Sequence, residues 1–396
     1  MAGDDMDELG TALDTATGVR AVLDPVNERT IERPNDAIEP PAVLGRARAL
    51  VVPALRAAVD RLDGEYMRKI AAYHLGWLDA DGQPISGDGV GGKAIRPTLA
   101  VLSAEAGGGN ASDGVAAAVA VELVHNFSLL HDDIMDRDVE RRHRPTAWVV
   151  FGEGQAILAG NAMLTAAIDV LVRDGVAGQR SLACLLSAVE SLISGQSADL
   201  ALGSLGSGGT LGTGGTGDEI ALVTTADVLA MEAGKTAALL ACSASIGAIA
   251  VDAPAPVVDG LAGYGHELGM AFQLVDDILG ITGDAAATGK SSSSDVRAGK
   301  RSAPIVAALN SGTAASKMLA RLLADGPPTS DDDVTYATKL IDEAGGLEWA
   351  AHEADRRLAR ALAHLENLAH LENTPAPAGT TSDLAALARY VVERDR

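Results

Sequence analysis

The sequence predicts an all-α fold, for two reasons. Apolar residues form 47% of the 396 residues but aromatic residues only 3%, so the apolar content is mainly Ala, Leu and Val. Ala and Leu favour helices, whereas aromatic residues favour strands. Apolar residues also recur three and four positions apart over long segments, as on one face of a helix, and no alternating strand pattern persists.

The chain divides into an N-terminal extension, residues 1–43, and one helical domain, residues 44–396. The extension is rich in Asp, Glu, Pro and Thr with weak periodicity, which predicts a disordered acidic tail. Within the domain, helical segments are predicted at 44–77, 95–106, 112–135, 154–172, 180–202, 224–249, 257–282, 301–322 and 333–369. Loops are predicted at 81–92, 202–217, 291–294 and 371–382.

Composition also excludes several classes of partner. The formal charge of −23 argues against nucleic acid, because a phosphate backbone requires a basic surface. Cys184 and Cys242 lie in Ala-rich segments and are expected to be small buried side chains, not zinc ligands or a disulfide. The N-terminus has no secretory signal pattern, and no apolar stretch reaches the ~18 residues of a membrane span. A cytoplasmic protein without a transmembrane segment is therefore expected.

The first acidic motif lies in residues 125–146, HNFSLLHDDIMDRDVERRHRPT. Asp132 and Asp136 are four residues apart and share a helix face, with Asp133 beside them. Carboxylates this close repel one another, and a magnesium ion would offset the repulsion, since it binds one or two carboxylates plus substrate phosphates. The alternative is a solvated charged face near a helix end.

Cationic side chains flank this motif. His125 lies two turns before Asp132 on the same helix face, and Arg141 and Arg142 follow within a turn or two. Guanidinium groups suit phosphate recognition. The segment is therefore predicted to contact a diphosphate as well as a metal ion.

A second acidic motif lies in residues 269–304. Asp276 and Asp277 follow an apolar helical run, and Gln273 precedes them by one turn. Two Asp pairs, each on an apolar helix, predict opposing walls of one magnesium–diphosphate site. The alternative is a helix that simply ends at the glycines after the motif. Cations follow downstream at Lys290, Lys300 and Arg301.

Two short segments add further cations. Lys93 and Arg96 follow a Gly-rich loop at the start of a predicted helix, where backbone amides and a lysine can hold phosphate. Lys235 and Thr236 lie in mid-helix among apolar residues. A lysine there usually extends to solvent; the alternative is that it reaches a diphosphate.

Taken in chain order, the segments GGKAIRP, HNFSLLHDDIMD, RRHRPT, GKT, FQLVDD, TGK and GKRS resemble the trans-isoprenyl diphosphate synthase (polyprenyl synthetase) family. The resemblance covers about residues 50–370 and is greatest to actinobacterial geranylgeranyl diphosphate synthase-like members. It implies the isoprenoid synthase fold, an antiparallel helical bundle around a deep central cavity, usually as a homodimer.

The resemblance implies a role for each motif residue. It assigns isopentenyl diphosphate to Lys93, Arg96, His125 and Arg142. It assigns the allylic diphosphate to Arg141, Lys235, Thr236, Gln273, Lys290 and Lys300. It assigns magnesium to Asp132, Asp136 and Asp276, which with Lys235 form the catalytic set. It assigns control of product length to Phe127 and Ser128, and a single aromatic there resembles the type that forms geranylgeranyl diphosphate.

The sequence departs from the family pattern in three ways. Gly280 stands where the second motif has a third Asp, and Asp284 is the expected compensation. Ser302 replaces a frequent Thr. The loop at 202–217 and the tail are additional segments.

The implied activity is magnesium-dependent alkylation of isopentenyl diphosphate by an allylic diphosphate. A terpene cyclase on the same fold is the rival within enzymes, but it has no need of a second diphosphate site. A non-catalytic partner subunit, or cargo of an encapsulin-type shell loaded through the tail, is the rival from another class.

Overall fold

The structured part of the chain is almost entirely helical. A computed structural model describes residues 39–85, 92–204, 223–283, 293–324, 326–371 and 379–393. The tail up to residue 38, half of the predicted loop at 81–92 and most of that at 202–217 lie outside the described residues.

The all-α prediction is confirmed by the order of elements. A two-stranded hairpin, β1 (Glu140–Arg141) and β2 (Arg144–Pro145), follows α4, and a π-helical turn (Ala233–Ala237) joins α8 to α9. The helices are α1 (Ala42–Asp60), α2 (Glu65–His74), α3 (Ile95–Ala106), α4 (Val115–Met135), α5 (Ala147–Phe151), α6 (Glu153–Arg173), α7 (Val176–Ser204), α8 (Thr225–Glu232), α9 (Ala238–Ala250), α10 (Ala255–Thr282), α11 (Ser294–Ala298), α12 (Ala303–Asn310), α13 (Ala314–Leu322), α14 (Asp331–Glu343), α15 (Gly346–Ala369) and α16 (Thr380–Glu393).

Three predicted segments are each two helices. The segment at 44–77 breaks where Gly64 has φ +81°, that at 301–322 at Gly312 (φ +71°), and that at 333–369 at Gly345 (φ +84°). Glycine adopts positive φ readily, so a short break at one glycine interrupts the helix while the apolar spacing on either side continues. Helix α16 was not predicted, and it begins inside the predicted loop at 371–382.

Two features of the packing position the site. Helices α4 and α6 bury Leu123, Leu130 and Met163 between them, each contributing about 1.5–3 kcal/mol. Helix α10 crosses the π turn at Gly269, where a Cβ would lie 2.6 Å from Ala237 Cα. Because only glycine permits so close an approach, α10 and its acidic motif lie directly against the turn that carries Lys235.

The expectation that no apolar stretch reaches membrane-spanning length is wrong. Among the described residues, four helical stretches are long and apolar enough by length and composition. The expectation rested on unbroken apolar runs, whereas these windows include up to two charged residues. For Ala111–Met135 and Thr225–Ala250, 67% of the window is buried inside the protein, which places these stretches in the core of the bundle.

The two cysteines are neighbours in the core. Cys184 on α7 is half-buried, Cys242 on α9 is buried, and both are free thiols. Hydrogen bonding between them, and burial, raise the pKa of Cys242 well above its ordinary value. The sequence predicted that both cysteines are small side chains packed in the interior, and their position agrees with that prediction.

Candidate active site

The first acidic motif lies at the C-terminal end of α4. Asp132 and Asp136 are half-buried and occupy successive turns, with the Asp136 N–H donating to the Asp132 carbonyl at 2.8 Å. Asp133 points into the protein and pairs with Arg141 at 2.7 Å. Burial raises the pKa of Asp133 to about 6, although Arg141 opposes the shift. The motif therefore has two accessible carboxylates and one structural one.

Two lysines face the accessible carboxylates. Lys300 Nζ lies 3.1 Å from Asp136 Oδ2. Lys235 Nζ lies 2.5 Å from Asp199 Oδ2 on α7. Burial raises the pKa of Asp132, Lys235 lowers it, and Asp136 raises it further. The acidic motif and the two lysines thus form one cluster, as the resemblance implied.

Asp199 is a member of this cluster that the sequence analysis missed. It stands alone in the helical segment GQSADL and has no acidic neighbour to mark it. Helix α7 is largely apolar and carries two isolated carboxylates, Glu190 and Asp199, so the sequence does not mark Asp199 as the one beside the π turn. Its partner, Lys235, is distant in sequence, so the pairing is visible only in the fold.

A chain of hydrogen bonds links the π turn to the second acidic motif. Thr236 Oγ1 donates to Gln273 Oε1 at 2.7 Å, and Gln273 Nε2 donates to Asp277 Oδ1 at 2.8 Å. The other oxygen, Asp277 Oδ2, accepts the Ala303 N–H at 3.0 Å, at the start of α12. These contacts place Thr236 and Gln273 together, and they commit both oxygens of Asp277.

The two aspartates of the second motif differ in environment. Asp276 is exposed, whereas Asp277 is buried beside Glu232 of α8. Burial raises the pKa of Asp277 to about 7. Burial and the Asp277 carboxylate raise the pKa of Glu232 well above its ordinary value. Asp277 and Glu232 are therefore a buried pair with a structural role, and Asp276 is the aspartate of the second motif that faces outward.

The predicted isopentenyl diphosphate residues form a second, cationic cluster. Arg96 Nη1 lies 3.3 Å from His125 Nε2, and the Arg142 guanidinium lies against Gly92, next to Lys93 at the start of α3. Burial and Arg96 lower the pKa of His125 well below its usual value. Arg96 and Arg142 are the arginines whose positive charge acts on this imidazole.

His74 is a further residue of the cationic region that sequence reasoning missed. It lines a cavity of about 210 Å³ together with Arg141, Arg142 and Arg144. Burial and these arginines lower its pKa to about 3. Its Nε2 is buried without a hydrogen-bond partner among the described residues. A lone histidine at the end of the amphipathic helix α2 gave no signal that it meets this cluster.

Lys290 and the expected compensating residue Asp284 lie outside the described residues. Phe127 and Ser128 are buried on α4. The Phe127 ring meets His131 edge-on at 4.9 Å, on the turn below the first acidic motif.

The carboxylates fit a magnesium ion. Among the residues that the structure describes, three or more acidic, histidine or cysteine side chains nowhere come close enough to form a complete metal cage. Burial and the neighbouring Asp136 carboxylate raise the pKa of Asp132, which makes its charged form less favourable. A divalent cation bound to these carboxylates would favour the charged form. Magnesium typically takes one or two carboxylates and fills its shell with water and phosphate oxygens, which matches this arrangement.

Comparison with known proteins agrees with this geometry. The polyprenyl synthetase family model matches residues 86–341. A (2E,6E)-farnesyl diphosphate synthase of Mycobacterium tuberculosis is 42% identical over 356 residues, covering 89% of this chain and 92% of that protein. A geranylgeranyl diphosphate synthase of the same organism is 38% identical, covering 89% and 94%. A polyprenyl synthetase structure from Streptomyces coelicolor A3(2) has 46% identity and a TM-score of 0.78, covering 89% and 99%.

The chain belongs to the polyprenyl synthetase family and has the all-α isoprenoid synthase fold. It is a short-chain trans-prenyltransferase. The family resemblance read from its motifs is confirmed.

Proposed function

We propose that the protein joins isopentenyl diphosphate to an allylic diphosphate with magnesium, and that its main product is geranylgeranyl diphosphate. The observation that carries the activity is the presence of two separate cationic clusters along α4. One, around Lys235 and Lys300, faces the carboxylates of Asp132 and Asp136. The other, around Arg96 and Arg142, lies two turns earlier. A terpene cyclase needs only the first.

Each cluster has a task in this proposal. Arg96 and Arg142 hold the isopentenyl diphosphate, while Lys235 and Lys300 hold the allylic diphosphate. Magnesium, when bound by Asp132, Asp136 and Asp276, stabilises the negative charge that develops on the leaving pyrophosphate.

The proposed reaction consists of three changes in bonding. The allylic C–O bond breaks and its electrons leave with pyrophosphate. The double bond of isopentenyl diphosphate then attacks the allylic cation, and a proton leaves to pyrophosphate. The apolar surroundings on α4 and α6 keep water from the cation.

Incubation with isopentenyl diphosphate and each allylic primer, with and without magnesium, tests the proposal. Chain-length analysis should show elongation to a C20 product only when magnesium is present. A cyclic hydrocarbon, or no product from any primer, would contradict it.

Replacing Lys93 or Arg96 with Ala should raise the KM for isopentenyl diphosphate more than that for the allylic substrate. Loss of a charge-assisted hydrogen bond costs about 1.5–3 kcal/mol, so roughly a tenfold or larger increase is expected. Initial rates with each substrate varied in turn provide the measurement. An effect confined to the allylic substrate would show that each cluster binds the other substrate.

The proposed product length rests on the position of Phe127. Its buried ring lies between the acidic motif and the base of α4, in edge-on contact with His131. Ser128 beside it is small and donates its hydroxyl to the His125 carbonyl at 2.8 Å. One aromatic side chain, without a second beside it, supports a C20 limit. The relatives include both farnesyl and geranylgeranyl synthases, so product analysis decides between them.

Phe127→Ala is expected to lengthen the product, because removing the ring opens apolar volume for the growing chain. Product lengths of wild type and variant, separated by chromatography after dephosphorylation, provide the measurement. Ser128→Ala, which removes only a hydroxyl, is the control and should keep the wild-type length. An unchanged distribution in Phe127→Ala would place the limit elsewhere.

We also propose a cytoplasmic homodimer. Helices α6 and α7 expose large apolar side chains, among them Leu158 (54%), Val172 (53%) and Ile193 (53%). Monomeric proteins rarely leave such patches uncovered, so a second copy of the chain is the proposed occupant. Light scattering of the purified protein should give twice the chain mass, and a monomeric mass would contradict the proposal.

The tail supports a separate proposal about partners. Its acidic composition suits a segment that carries the enzyme into an encapsulin-type shell. In that case shell protein co-purifies with the full chain but not with a chain that begins at Leu44. Equal co-purification, or none, would leave the tail as a solvated extension.

A further inference from the structure

The second acidic motif offers fewer carboxylates than its position requires. Asp276 is exposed, but Asp277 uses both oxygens in hydrogen bonds to Gln273 and to the Ala303 backbone. The third position is Gly280, which has no side chain. The motif itself therefore presents a single accessible carboxylate, whereas the first motif presents two, Asp132 and Asp136.

The space beside Gly280 is filled by another carboxylate. A Cβ built on Gly280 would lie 2.4 Å from Asp295 Oδ2, 2.6 Å from its Cγ and 3.0 Å from Oδ1. Real Cβ atoms essentially never approach another atom more closely than 3.0 Å, so the Asp295 carboxylate occupies the space that a side chain at residue 280 would take. Glycine at this position is what admits the carboxylate.

The local fold fixes Asp295 at this point. It lies in the first turn of α11, whose Val296 is buried against the core. The Lys300 N–H donates to the Asp295 carbonyl at 2.9 Å and closes the turn after α11. The backbone on both sides of the carboxylate is thus held.

The carboxylates of Asp295 and of the first acidic motif act on the same cation, Lys300. Burial works against the charged form of Lys300, but the carboxylates of Asp136 and Asp295 raise its pKa above the ordinary value. The Lys300 ammonium touches Asp136 directly. Asp295 therefore adjoins the same ammonium as the first acidic motif.

We propose that Asp295 supplies the third carboxylate of the second acidic wall and acts on the magnesium–diphosphate in place of residue 280. The proposal rests on the function proposed above. A carboxylate from the next helix, 15 residues further along the chain, then takes the role of a side chain within the motif.

The test is calorimetric binding of inorganic pyrophosphate, with and without magnesium, to the full chain. Asp295→Asn should weaken the magnesium-dependent affinity by about tenfold or more, in the range seen when groups supporting a metal site are removed. Binding without magnesium should change little. Asp331→Asn is the matched control, since it is an exposed aspartate that pairs with Arg297 of the same short helix.

A positional exchange provides the second measurement. Gly280→Asp alone should bind poorly, because its Cβ collides with Asp295. Combining Gly280→Asp with Asp295→Gly restores the usual motif and makes room for it, so magnesium-dependent affinity should recover to within a few-fold of wild type. Melting temperatures of all variants report whether each is folded.

Unchanged magnesium-dependent affinity in Asp295→Asn would overturn the inference, as would failure of the exchange to improve on Gly280→Asp. An equal loss with and without magnesium would also overturn it, since Asp295 would then act only by orienting Lys300. If wild type itself binds pyrophosphate without any response to magnesium, the proposed function fails instead.

Discussion

Replacing Asp132 or Asp136 with Ala is expected to abolish turnover while the protein stays folded. Both carboxylates are half-buried at the end of α4 and face the cluster of Lys235 and Lys300. In the proposed mechanism each is a magnesium ligand, so removing one would weaken the stabilisation of the charge that develops on the leaving group. A loss of about 4 kcal/mol in transition-state stabilisation corresponds to roughly a thousandfold lower rate.

Steady-state rates at saturating magnesium, together with thermal melting, provide the measurement. Asp169→Ala is the control, because this aspartate lies on the surface of α6 and pairs only with arginines there. Turnover within a few-fold of wild type in either active-site variant would remove the metal assignment. Loss of melting cooperativity would instead show that the carboxylate supports the fold.

Gly195→Ala is expected to have the next largest effect, although it adds only one methyl group. A Cβ on Gly195 would lie 2.2 Å from the backbone nitrogen of Lys235 and 2.7 Å from the carbonyl carbon of Gly234. Helix α7 and the π turn therefore meet backbone to backbone, and an added methyl must push them apart. Lys235 then loses its place opposite Asp199, one turn further along α7.

Misplacement by about 1 Å can cost 10²-fold in rate, so kcat is expected to fall by that order. The KM for the allylic substrate should rise more than that for isopentenyl diphosphate. Gly154→Ala on α6 is the matched control, since nothing lies within 4 Å of its added Cβ. There, the better helix propensity of Ala should stabilise the protein by up to about 1 kcal/mol. Wild-type kinetics in Gly195→Ala would mean that the contact between α7 and the π turn does not determine the position of Lys235.

The part of the site that sequence predicted is the part encoded within single helices. Asp132 and Asp136 are recognisable because four residues bring them to one face of α4. Asp199 and His74 were missed because each acts through residues that are distant in the chain. Asp295 was passed over for the same reason, since only the packing of α11 against α10 brings it to Gly280.

The fold likewise has parts that the sequence predicted and parts that it did not. Apolar periodicity identified the long helices and the all-α class. It did not locate the breaks at Gly64, Gly312 and Gly345, where a glycine with positive φ interrupts the helix. The hairpin of β1 and β2 was missed because two residues per strand are too few to show alternation.

The hydrogen-bond chain through Gln273 connects the two segments that carry the lysines of the site. It begins at Thr236, the neighbour of Lys235, and ends at Ala303, three residues after Lys300. Lys235 and Lys300 therefore lie beside the two ends of one chain of polar contacts across α10, although they are 65 residues apart in the sequence. The two sides of the cluster that faces the first acidic motif are thus coupled through the packing of α10.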